Sequence, residues 1–191
     1  RMASAAQRVA LYYNSISLHD GNRIVGADGR AAPADYKARA NMVLNDMAGF
    51  IRTIEASGRR ALIVVVPEHG AALRGDRMQI PGMREIPSPS ITHIPVGIKL
   101  VGMGPAVAGG PRHVVEPSSY LAISEVVSRL LAAPDPAAAG QRRDWDALLH
   151  DLPMTPAVSE NEGAKVIDYD GKPFLQLIGS QNWAPYPEDA K

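Results

Sequence analysis

A chain of 191 residues, 46% hydrophobic and 21% charged, has enough apolar material for a packed core, which excludes disorder throughout. Twenty basic residues balance twenty acidic ones, so the formal charge is zero and the basic excess expected of a non-specific nucleic-acid binder is missing. There is no cysteine, which excludes a disulfide framework and thiolate metal ligands, and no apolar run approaches the ~18 residues of a membrane span.

The start, Arg1-Met2-Ala3-Ser4, lacks the apolar stretch of a signal peptide, and Arg before Met is expected of a chain cut from a longer one. Val9 to Tyr13 is a short apolar and aromatic run that reads as a strand leading into a loop at Asn14 to Gly21. From Pro33 to Ser57 apolar residues step by three and four (Tyr36, Ala40, Val43, Leu44, Met47, Phe50, Ile51, Ile54), which predicts a helix. Pro33 suits its first turn and Gly58 the position past its end. Ala61 to Val66 is a continuous, largely β-branched run, as expected of a strand buried on both faces, and Pro67 ends it. A long irregular stretch follows from Gly70 to Pro95, then a strand at Val96 to Val101. Pro117 to Ala133 predicts a helix capped by Ser118 or Ser119, with Tyr120, Ile123, Val127, Leu130 and Leu131 on one face. Asp144 to Leu152 reads as a short helix. Val166 to Tyr169 and Phe174 to Ile178 flank Asp170-Gly171-Lys172-Pro173 as a hairpin, and a polar, Pro-rich tail starts at Gln181. Helix followed by buried strand is the grammar of an α/β fold with an open, mostly parallel sheet, flanking helices and a late antiparallel hairpin.

The sharpest chemical feature is Pro67-Glu68-His69-Gly70, directly after the most apolar strand. Ligands of open α/β sheets bind beyond the carboxyl ends of strands, where a carboxylate next to an imidazole is a natural two-ligand element for zinc. The same four residues also read as an ordinary polar loop. His19-Asp20-Gly21 follows the first strand and suits either an anionic substrate or a plain Asp-Gly turn. Arg74, Arg77 and Arg84 lie on the loop after the Glu-His pair, and a guanidinium fork matches phosphate oxygens, although a solvated basic loop has the same composition. His93, His113 and His150 stand in Pro-rich or helical surroundings and read as surface or structural residues. A catalytic zinc site typically takes three protein ligands, and only two adjacent ones stand out; there is no Gly-x-Ser-x-Gly elbow and no P-loop.

The stretches Val64 to Gln79 and Arg84 to Thr92 resemble the C-terminal part of the BcsG-type cellulose phosphoethanolamine transferases, of the alkaline-phosphatase-like superfamily. Leu18 to Asn22, Ala34 to Ala40, Pro117 to Glu125 and Pro156 to Asn161 are similar to that family in the same order. The resemblance implies that residues 1–191 are the C-terminal part of one catalytic domain, with 155–191 forming the hairpin and tail. It implies transfer of phosphoethanolamine from phosphatidylethanolamine to cellulose, with Glu68 and His69 as zinc ligands and with His19 and Arg84 contacting the phosphoryl group. Related transferases usually carry Asp before this His, so Glu68 fits the cellulose branch. The resemblance places the serine nucleophile and a further zinc ligand before Arg1. It implies a periplasmic domain of an inner-membrane protein, anchored outside this chain and partnered with the cellulose synthase complex.

Two other readings carry different expectations. A sulfatase-like hydrolase or another phosphoethanolamine transferase of the superfamily would use another acceptor. A non-catalytic interaction module of the cellulose-secretion complex would show no turnover at all.

Overall fold

The computed structural model describes residues 8–19, 23–103, 110–132, 144–155 and 158–187. Two compact units divide the chain, Arg1–Arg59 and Arg60–Lys191.

In the first unit, Val9 to Tyr13 is not a strand: it makes no ladder among the described residues, and Tyr12 and Tyr13 are exposed. Apolar content alone does not make a strand where no partner satisfies the backbone. An antiparallel hairpin of β1 (Arg23–Val25) and β2 (Ala31–Pro33) forms instead, around Asp28-Gly29. Helix α1 (Tyr36–Ala56) follows. Pro33 ends β2 and does not enter the first helical turn. The start is set by Asp35, whose carboxylate accepts from the Ala38 N–H at 2.7 Å and so satisfies one donor left over at the helix end. Ser57 closes the helix, and Gly58 follows with φ 66°, as its place in the sequence predicts.

In the second unit, β3 (Ala61–Val65) pairs with β4 (Gly97–Val101), and the pairing is antiparallel. The expected parallel sheet is not seen: among the described residues every strand pair is antiparallel. A β-branched run fits a buried strand of either sense, and β3 is only half-buried along its length. The irregular stretch between them contains one turn of helix, α2 (Pro89–Thr92). Helix α3 (Tyr120–Ala132) is capped by Ser119, whose hydroxyl accepts from the Leu121 N–H at 3.3 Å. Its buried line runs through Ala122 and Val126, one turn apart, while Tyr120 and Leu131 of the expected face are exposed. Helix α4 (Trp145–Leu149) is shorter than expected and starts at an Asp144 cap. Arg129 of α3 joins the two helices: its guanidinium donates to the Leu148 carbonyl at 3.2 Å and also to that of His150, satisfying carbonyls at the end of α4.

The core of this unit lies on a four-stranded antiparallel sheet in the order β5 (Val158–Glu160), β6 (Ala164–Tyr169), β7 (Lys172–Leu177), β8 (Ala184–Pro185). Asp170 and Gly171 form a two-residue turn with φ 53° and 71°, the pair of left-handed residues whose twist matches a hairpin and for which Asp-Gly is favoured. Ala164, Val166, Leu175 and Tyr186 are buried together, with Ile86 packed on them. That Ile86 belongs to the loop after β3, so the sheet serves as the floor of that loop.

Candidate active site

The loop carrying Glu68, His69 and Arg84 leaves the carboxyl end of β3. Glu68 is exposed and His69 half-buried. Gly70 is held against the loop's far end, its N–H donating to the Ile91 carbonyl at 2.6 Å. A Cβ at this position would lie 2.0 Å from the Ser90 carbonyl oxygen, so only glycine permits the approach.

His69 has neighbours at both ring nitrogens. Nδ1 lies 2.7 Å from the Gly70 carbonyl oxygen, and Nε2 meets the Arg84 guanidinium. A carbonyl oxygen only accepts and a guanidinium only donates. The two neighbours together therefore select one neutral tautomer, with the proton on Nδ1 and the lone pair on Nε2. That is how a ligating histidine is oriented, its second nitrogen tied to a backbone carbonyl. Arg84, Arg74 and Arg77 are all exposed on this loop, and Arg84 reaches the His69 lone pair.

The backbone around Arg84 is fixed on several sides. The Arg84 N–H donates to Glu85 Oε2 at 3.0 Å. The amide of Asn161, from the β5–β6 turn, donates to the Glu85 carbonyl. Gln79, nearly fully buried, closes a ring onto Ile86: its Nε2 donates to the Ile86 carbonyl and its Oε1 accepts from the Ile86 N–H, both at 2.7 Å. Asp76 Oδ1 accepts from the N–H groups of Met78 and Gln79 at 2.7 and 2.8 Å, and its Oδ2 accepts from the Tyr186 hydroxyl at 2.7 Å. Burial opposes charge on Asp76, but the hydrogen bonds from Tyr186 and the two N–H groups outweigh it, and the net effect lowers its pKa. Burial and the neighbouring carboxylate push the Tyr186 hydroxyl up to about 12. Asp76, Gln79 and Asn161 are missed from the sequence alone; Gly75-Asp76 and Asn161-Glu162-Gly163 are turn signals that point to the first and last, whereas the distant backbone partners of Gln79 leave no spacing to read.

His19 lies in the first unit. It follows not a strand but a turn in which its N–H donates to the Ile16 carbonyl at 3.0 Å. Buried Arg39 of α1 clamps that turn, donating to the carbonyls of Ser17 at 3.2 Å and His19 at 2.6 Å. Asp20 and Gly21 of the expected motif lie outside the described residues, as do Pro156 and Ala157.

A carboxylate and an imidazole lone pair suit a divalent ion in chemistry. Among the described residues, however, no group of three or more His, Cys, Asp or Glu converges on a point that could hold one.

An exposed carboxylate, an oriented imidazole and an arginine on a hydrogen-bonded loop after a strand make this loop the candidate site. The family model for the cellulose biosynthesis protein BcsG C-terminal domain matches residues 1–183, and the chain belongs to that family. The cellulose biosynthesis protein BcsG of Salmonella typhimurium (strain LT2) is 47% identical over 184 residues, covering 96% of this chain and 32% of the relative. That of Escherichia coli (strain K12) is 47% identical over 181 residues, covering 95% and 31%. The chain spans about a third of the length of the curated relatives it matches.

Proposed function

We propose that this chain is the C-terminal part of an alkaline-phosphatase-like catalytic domain. Its whole protein would be a zinc-dependent transferase of cellulose biosynthesis, moving phosphoethanolamine from phosphatidylethanolamine to glucosyl hydroxyls of cellulose. The observation that carries this reading is His69, with its proton tied to the Gly70 carbonyl and its lone pair turned toward Arg84. Family membership and the relatives' name support a role in cellulose biosynthesis.

Glu68 and His69 would hold the zinc, with further ligands from the remainder of the relatives' length. When bound, the ion supplies charge neutralisation for phosphoryl oxygens and a lowered pKa for a nucleophile. In the transfer, a serine outside this chain would lose its hydroxyl proton as its oxygen bonds to phosphorus, the bond from phosphorus to the diacylglycerol oxygen would break, and that oxygen would take up a proton in exchange. A glucosyl hydroxyl then displaces the serine, losing its own proton. Arg84 donates to the non-bridging oxygens as their charge grows; the phosphoryl-contacting role of His19 is carried by the family resemblance. The Gly70 carbonyl keeps His69 in the ligating tautomer throughout.

The domain would work in the periplasm beside the cellulose synthase complex, on an inner-membrane protein anchored outside this chain. Among the described residues no helix is long and apolar enough to cross a membrane. The partial ligand set also suits a module without turnover, and one experiment separates the two. In the full-length protein, Glu68→Gln and His69→Ala should lose zinc and head-group transfer from a labelled phosphatidylethanolamine to a cello-oligosaccharide, with far-UV circular dichroism and melting retained. Stoichiometric zinc in both variants would refute the assignment, and a wild-type protein without transfer would favour the module.

A further inference from the structure

We propose that Gln79 and Asn161 are positioning residues for Arg84, holding the two residues after it so that its guanidinium stays on the side of the loop that carries His69. This rests on the reading that Arg84 acts on the transferring group.

An arginine on an exposed loop has many rotamers and a backbone free to carry it away, and both freedoms weaken an oriented contact. Here the backbone freedom is removed at two successive residues. The Glu85 carbonyl accepts from Asn161 Nδ2, and both polar groups of the Ile86 backbone are taken by the Gln79 side chain at 2.7 Å. Gln79 is itself fixed: it is 7% exposed, and its own N–H donates to Asp76 Oδ1 at 2.8 Å. Asn161 is fixed by its turn, where its Oδ1 accepts from the N–H groups of Gly163 and Ala164 at 2.9 Å. Ile86 packs on the sheet core next to these bonds. The frame thus runs from the four-stranded sheet to the peptide units that follow Arg84.

The test is a double-mutant cycle in the full-length protein. Gln79→Met keeps the volume and removes both bonds. Asn161→Asp keeps the acceptor for Gly163 and Ala164 but puts an oxygen where the donor to Glu85 was, and it disturbs no buried group, so it serves if Gln79→Met folds poorly. Each single variant should lower kcat by about tenfold or more, the scale of a misplaced reacting group. KM for the lipid donor should move within about twofold and zinc content should not change. In an Arg84→Ala background the same changes should cost no more than about a further twofold, because the residue they act through is gone. Equal fold-losses in both backgrounds, or loss of zinc, would overturn the proposal and leave the role of Arg84 standing. Arg84→Ala within about twofold of wild type would overturn both.

Discussion

Arg84 is the residue on which the chemistry and the local structure meet. If its contact strengthens as charge develops on the phosphoryl oxygens, Arg84→Ala should lower kcat by roughly 10²-fold, the scale of losing one charge-stabilising donor. Arg84→Lys should recover only part of this, because an ammonium cannot reproduce the two-pronged guanidinium contact. Zinc content, measured in the same samples, should stay constant in both variants; near-normal rates would mean that Arg84 merely decorates the loop. Gly70 has the opposite character, structural and intolerant. Its backbone does not need the left-handed region, yet a methyl group would meet the Ser90 carbonyl oxygen at 2.0 Å. Gly70→Ala should therefore cost about 2 kcal/mol or more, visible as a lowered melting temperature. Gly171→Ala offers the control. There the added carbon meets nothing within 4 Å and only the φ of 71° resists, so the loss should be about 1 kcal/mol. Glu68 and His69 were legible because a strand, a proline and a glycine bracket them. The frame behind Arg84 was not, since an amide bonded to the backbone of a residue far along the chain leaves no spacing to read.

Among the elements, the loop after β3 is joined to the residue that follows strand β8 by a part-buried hydrogen bond from the Tyr186 hydroxyl to Asp76. The pH dependence of that link follows from its signs. The Asp76 pKa is lowered in the folded chain, so its contribution is present above the unfolded value and is lost as pH falls through the folded one. Tyr186 is raised from 10.0 to about 12, so its contribution is complete below pH 10 and is lost as pH rises toward 12. Tyr186→Phe should remove the alkaline loss, checked by denaturant unfolding of wild type and variant between pH 8 and 12; an unchanged alkaline limb would show that the link is not what titrates. Element type was readable where periodicity is strong: α1 from its three-and-four spacing, and the β6–β7 hairpin from Asp170-Gly171. Pairing direction was not, since alternation and β-branching describe a strand's faces and not its neighbour's sense. Strand β8, two residues long and half proline, carries no pattern at all, yet it contributes the ladder that brings Tyr186 to Asp76.

At the scale of the whole molecule, the division of labour along the protein follows from what this chain supplies. On the proposed reading, Glu68 and His69 would give two of the three protein ligands that a catalytic zinc site takes. The two-stranded pairing of β3 and β4, from which the site's loop leaves, is of a kind that gains stability only when other elements pack on it. The relatives are about three times as long as the matched segment, which would give room for the proposed nucleophile and a third ligand. The expected outcome is that residues 1–191 prepared alone release no head group from a phosphatidylethanolamine analogue and retain less than one equivalent of zinc after desalting. The full-length protein should do both under the same buffer and metal supply. Mixing the chain with a separately prepared remainder should restore transfer only if the ligand set is shared between the two parts, which turns a negative result on the fragment into a positive one on the complex. Turnover by the isolated chain that survives purification, and that Glu68→Gln abolishes, would show that the whole site lies within these 191 residues and would overturn the division.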